Sequence, residues 1–103
     1  MKGLTTTEAR LVEQYVSVLD YLSRCAQAVE GDDWFYLYDK SAELAVQAER
    51  LAEVAAEIAH AVRDGRPGRP RAQVVRAAVA NYGRHYRAGR LLHPAGDQEG
   101  AAS

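Results

Sequence analysis

Residues 34–62 read WFYLYDKSAELAVQAERLAEVAAEIAHAV. Trp34, Leu37, Leu44, Ala48, Leu51, Ala55, Ile58 and Val62 recur at alternating spacings of 3 and 4, with Ser41 filling one gap. That is the seam of a long amphipathic helix, held for about four heptads. Such a helix needs partners along its whole side, so the stretch predicts an all-α protein.

The same stretch opens with five large residues, Trp34 to Tyr38. On the heptad count Trp34 and Leu37 face the seam. Phe35, Tyr36 and Tyr38 are spread around the helix and need other cover. Either a third helix or the bundle end covers them, or Trp34, Phe35, Tyr36 and Tyr38 form a subunit interface, as exposed contiguous aromatics do. Asp39-Lys40-Ser41 is the weakest helical part, and a break there would use Ser41 as a new cap. Alanines at 48 and 55 let a neighbouring helix approach closely.

Upstream, Thr5 and Glu8 form a capping box, so a helix begins near Thr6. Leu11, Tyr15, Val18, Leu22, Cys25 and Val29 then repeat at 4, 3, 4, 3, 4, with Val12, Leu19 and Ala26 widening the stripe. Glu13, Asp20 and Gln27 fall on the solvent side. Gly31 ends this helix and Asp32 or Asp33 caps the next. So short a link makes the two helices antiparallel neighbours.

Downstream, the two glycines and two prolines of residues 65–70 stop the second helix. Pro70 suits the first turn of a third, in which Ala72, Val75, Val79, Tyr82 and Tyr86 repeat at 3 and 4. It ends near Gly89. The expected fold is an antiparallel hairpin, Thr6–Glu30 and Asp33–Arg63, with a helix over Pro70–Gly89 packed along it. This three-helix bundle is completed by dimerisation: the first two helices are long for one small bundle, and the aromatic run exceeds what one seam buries. Residues 1–93 form a single helical domain, and Pro94–Ser103, small and polar, reads as a disordered tail.

A chain of 103 residues with 48 % apolar and 26 % charged residues has the mix of an ordinary globular domain, with room for one core. No apolar run approaches the roughly 18 residues that span a bilayer, so no membrane partner is expected. The single cysteine, Cys25, excludes an internal disulfide framework and suits the reducing cytosol. It lies on an apolar stripe, as a small core residue does. Tyr15, Tyr82 and Tyr86 occupy seam positions and are expected in the core.

The charge is divided by position. Residues 1–62 hold five basic and eleven acidic residues, net −6; residues 63–93 hold eight arginines and one aspartate, net +7. Arg76, Arg84, Arg87 and Arg90 share one arc of the third helix, and the loop adds Arg63, Arg66, Arg69 and Arg71. Clustered arginines suit phosphate oxygens and polyanions. Arg66, Arg69, Arg71, Arg76, Arg84 and Arg87 are therefore candidate nucleic-acid contacts. Two other roles are open to them: neutralising the acidic helices, for instance Glu49, Glu53 and Glu57, or holding an acidic protein partner. Arginine outnumbers lysine 11 to 2 in this chain, which weakens the meaning of any single arginine.

The tandem Gly65-Arg66-Pro67 and Gly68-Arg69-Pro70 resembles the core of an AT-hook, a segment that enters the AT-rich minor groove. The likeness covers Gly65–Arg71 only, with Asp64 and Pro67 where the AT-hook has a basic residue. Arg87 and His93, spaced as Arg-x5-His, resemble the motif of HEPN-type ribonucleases in two residues, at a place that Gly89 and Pro94 interrupt. Glu57 and His60 have the Glu-x-x-His spacing of di-iron bundles, but His60 lies opposite the seam and no second pair exists. No enzyme, metal or cofactor is expected. The sequence points to a small regulator or accessory protein, nucleic-acid-associated through its basic part, or alternatively to a protein-interaction module, an adaptor or inhibitor.

Overall fold

The computed structural model describes residues 3–85, with side chains described up to Tyr82. It holds three helices: α1 (Thr6–Glu30), α2 (Trp34–Arg63) and α3 (Ala72–His85). No strand occurs among the described residues. The expected end of the third helix near Gly89, Tyr86, and the tail lie outside them.

Local chemistry sets each boundary. At the start of α1 the Thr5 hydroxyl accepts from the Glu8 amide at 3.1 Å, and Glu8 Oε1 accepts from the Thr5 amide at 3.0 Å. Both halves of the capping box are made. The ends of α1 and α2 share one hydrogen-bond pattern. Asp33 N–H donates to Ala28 O and Asp32 N–H to Val29 O; Arg66 N–H donates to Ala61 O and Gly65 N–H to Val62 O. This is the Schellman closure, which needs one left-handed residue. Gly65 supplies it at the end of α2, with φ +71°. At the end of α1 it is Asp32, with φ +56°, and not Gly31, whose φ is −90°. Asp33 caps α2 by accepting from the Tyr36 amide at 3.0 Å.

Two expected boundaries change. There is no break at Asp39–Ser41: α2 runs unbroken, and the Ser41 hydroxyl donates back to Tyr38 O instead of capping a new helix. And α3 starts at Ala72 rather than at Pro70. The Arg71 carbonyl accepts the first helical bond, from Val75 N–H, while the Arg71 amide is taken by the Glu8 carboxylate.

Helix α1 is the shared element, because α2 and α3 each pack mainly on it. Its Val12 and Val16 meet Val75 and Val79 of α3, with Leu4, Leu11, Leu19, Ala78 and Tyr82 around them. Its Arg10, Gln14 and Ser17 meet α2. Gln14 Nε2 donates to the backbone and side-chain oxygens of Gln47 at 3.1 and 2.8 Å, and Ser17 Oγ donates to the same side-chain oxygen at 3.0 Å. Arg10 pairs with Glu57 at 3.1 Å. Nearer the turn, the Lys40 ammonium sits between the Tyr21 and Tyr36 rings, 6.0 and 5.4 Å from their centroids.

The seam on α2 is therefore rotated from the expected one. The side facing α1 is Leu37, Lys40, Leu44, Gln47, Leu51, Val54, Ile58 and Ala61, each buried or half-buried. The stripe Trp34, Ser41, Ala48, Ala55 is exposed. On α1, Tyr15, Leu22 and Val29, expected in the core, are 43, 43 and 51 % exposed. The reason is geometric. Val12, Val16 and Leu19 serve α3, the arc through Arg10, Gln14 and Ser17 serves α2, and the arc between them is left over.

The apolar core of the described residues is small: Val12, Val16, Cys25, Ala28, Val54, Val75 and Val79. Val12 is fully enclosed at the α1–α3 contact. Val12→Ala removes two methyl groups there, so chemical denaturation should register a loss of about 2 kcal/mol; a loss below about 0.5 kcal/mol would show that α3 does not hold this face.

Candidate functional site

The described residues carry two distinctive surfaces, at opposite ends of the hairpin. The first is aromatic and lies at the α1–α2 turn. Phe35 is 89 % exposed, Tyr38 78 % and Trp34 56 %. Tyr36, expected beside them as interface, turns toward α1 and is half-buried against Lys40. The third helix does not cover this cluster, since α3 packs on the N-terminal half of α1. Exposed Glu30, Asp32, Asp33 and Asp39 surround the aromatics, which makes this end acidic.

The second surface is basic and lies where the 65–70 loop crosses the end of α2. A cleft of about 380 Å³ opens there between the loop, with Arg66 and Arg69, and Thr7, Glu57, His60 and Val62. A second cleft, of about 400 Å³, adjoins it through Ile58, Val62, Arg69 and Pro70. Leu11, Ala72, Val75 and Arg76 complete its lining. Arg69 borders both, so Arg66, Arg69 and Arg76 form one strip.

The six arginines expected to contact nucleic acid separate into different situations. Arg66, Arg69 and Arg76 are exposed on the strip; Arg66 reaches Asp64 at 3.4 Å. Arg84 belongs to α3, but its side chain is outside the described set, and Arg87 lies outside the described residues altogether. Arg71 is held by the fold. Its guanidinium donates to both oxygens of Glu8, at 2.8 and 2.9 Å, and to Gly3 O at 2.9 Å, while its amide donates to Glu8 at 2.9 Å. Of the three glutamates offered as neutralising partners, Glu57 is engaged by Arg10 of α1.

Glu8 is the residue whose reach the sequence left unread. It is 1 % exposed and its two oxygens accept from Thr5, from the Arg71 backbone and from the Arg71 side chain. The Arg71 side-chain hydrogen bonds, then the Thr5 and Arg71 amides, hold its carboxyl far below the ordinary carboxylate range. The capping-box spacing marks its bond to Thr5; a partner 63 positions away leaves no local signal.

His60 and Glu57 line the first cleft, but Glu57 is bonded to Arg10. No group of three or more His, Cys, Asp or Glu residues among the described residues could hold a metal ion. No helix among them is long and apolar enough to cross a membrane. Comparison with protein-family models, with curated proteins and with solved structures gives no match.

The Glu8 carboxyl has a pKa lowered on folding, so the stability it adds is present above the ordinary carboxylate value of 4.5 and is lost as pH falls below it. Glu57, lowered by Arg10, adds in the same direction. Glu8→Gln should lower the melting temperature at neutral pH and flatten its fall between about pH 5 and pH 3. A melting-temperature gap between Glu8→Gln and wild type that stays constant over that range would refute the assignment.

Proposed function

We propose that this protein is a small non-enzymatic helical interaction module, a regulator or adaptor that works by protein–protein association and is itself a homodimer. The exposure of Trp34, Phe35 and Tyr38 carries this reading. Aromatic side chains are enriched in interface cores, and three exposed together at the end of a hairpin form the kind of apolar patch that marks an interaction site. The small apolar core points the same way, since scaffolds of this size gain stability by oligomerising. In this reading the three helices form a bundle that a second copy completes, in the reducing cytosol, where Cys25 stays a thiol. At micromolar concentration the wild type should sediment as a dimer. Trp34→Ser with Tyr38→Ser should shift it toward the monomer while helicity is kept. A wild type that sediments as a clean 11.3 kDa monomer ends the homodimer reading.

A second reading rests on the strip of Arg66, Arg69 and Arg76, with Arg84 and Arg87 next in sequence. A row of exposed guanidinium groups binds nucleic-acid phosphates with modest sequence preference, and an acidic protein partner would use the same groups. With roughly four phosphate contacts, the slope of log affinity against log salt should be about −3.5. Arg66→Ala with Arg69→Ala should reduce its magnitude by about 2. Fluorescence anisotropy with duplex DNA and RNA measures both, and no binding at low salt by the folded protein removes this reading.

A further inference from the structure

The two surfaces at opposite ends of the hairpin are complementary in polarity and charge, and a face between them is uncovered. Trp34 stands on the α2 stripe that continues at every seventh residue through Ser41, Ala48, Ala55 and Val62. Val62, at the far end of that stripe, lines the apolar cleft with Ile58, Leu11 and Val75. Trp34 and the cleft therefore lie on one side of the hairpin, 28 residues or about 42 Å apart along α2. Tyr15, Leu22 and Val29 of α1 follow Leu11 on the same arc at helical spacing, and all three are about half exposed. Acidic residues surround Trp34 (Glu30, Asp32, Asp33), and Arg69 and Arg76 rim the cleft.

We infer that the second copy in the homodimer packs on this face in the antiparallel sense, each Trp34 entering the partner's cleft, with the two-fold axis at Ala48. The inference rests on the homodimer reading above and adds its face, direction and anchor. Three observations select the antiparallel sense, and a fourth allows close approach. A chain with an acidic end and a basic end pairs favourably with itself only head to tail; side by side, like charges would meet at both ends. Trp34 is exposed at one end and an apolar cleft of sufficient size is open at the other, so one two-fold rotation fills both. Arg69 and Arg76 on the rim are placed to lie over the indole, where a guanidinium is favoured. Small residues, Ser41, Ala48 and Ala55, occupy the middle of the stripe, so two α2 helices can approach closely there. The area also suffices: a face about 42 Å long and two helices wide covers roughly 800 Å² on each partner, the size of a stable interface. The radius of gyration, 15.6 Å against about 12–13 Å for a compact domain of this length, fits a protomer that is half of a larger core.

Cysteine cross-linking tests the direction. In a Cys25→Ala background, checked for unchanged helicity, an antiparallel pairing about residue 48 brings Ser41 of one copy beside Ala55 of the other. Ser41→Cys mixed with Ala55→Cys should cross-link under mild oxidation, and Ala48→Cys should cross-link to itself. Ser41→Cys cross-linking to itself would indicate a parallel pairing and overturn the inference while leaving the homodimer intact. So would a dimer by sedimentation that yields neither expected cross-link. A monomer by sedimentation overturns the homodimer reading itself. As a second arm, Trp34→Ala should weaken the dimer roughly 30-fold or more, and Arg69→Glu with Arg76→Glu roughly tenfold. The two sets lie at opposite ends of one protomer, and the antiparallel pairing requires a loss from each. Unchanged dimerisation in either variant, with helicity kept, counts against it.

Discussion

The carboxylate of Glu8 is the interaction on which the tertiary arrangement depends. One buried group accepts the Thr5 amide that starts α1, the Arg71 amide that precedes α3, and the Arg71 guanidinium, which also binds Gly3 O. A buried carboxylate is tolerated only when its lone pairs are filled and a cation faces it, and here both conditions hold. The consequence is positional. With Arg71 fixed at the start of α1, α3 can leave only along the Val12–Val16 side, and the 65–70 loop is drawn across the end of α2. The basic strip and the cleft beside Leu11 follow from that anchoring.

Once α3 has taken the valine arc, α2 meets a side of α1 that is partly polar. Gln14, Ser17 and Gln47 form the centre of that contact, and Lys40 between two tyrosines closes it near the turn. Hydrogen bonds of this kind hold a register more than they add stability. The arrangement leaves Tyr15, Leu22 and Val29 with Trp34 and the alanines of α2 on an open apolar side. An enclosed core of seven apolar residues among those described is slight for helices of 25 and 30 residues.

The division of charge along the chain acquires a spatial meaning in this arrangement. Among the described residues, exposed Glu30, Asp32, Asp33 and Asp39 gather at the aromatic turn, and exposed Arg66, Arg69 and Arg76 at the other end. Of the arginines, Arg71 bonds Glu8 and Gly3 O, Arg10 makes the α1–α2 contact, and Arg66, Arg69 and Arg76 stay exposed along the strip. This separation is why a total charge near zero says little about what the surface attracts.

The sequence by itself determined the helices, and did so through local rules. The 3-and-4 spacing fixed α1 and α2, Thr5 with Glu8 fixed the first boundary, and the glycines and prolines of residues 65–70 fixed the stop. Gly31 does end α1, and the boundaries that changed are the start of α3, at Ala72 instead of Pro70, and the absence of a break at Asp39–Ser41. The spacing set Phe35 and Tyr38 outside the seam, where the structure leaves them exposed, but it counted Trp34 into the seam and Tyr36 out of it, and the structure exposes the first and half-buries the second. Only the tertiary structure decided which side of each helix was buried. A heptad pattern states that a helix has an apolar side, but α1 has apolar residues over more than half its circumference and two neighbours to share them between. The Glu8–Arg71 pair, across 63 residues of chain, ties the start of α3 to the start of α1 on the side where Val12 and Val16 meet it. An ion pair between distant positions depends on the path of the backbone, and no periodicity records it.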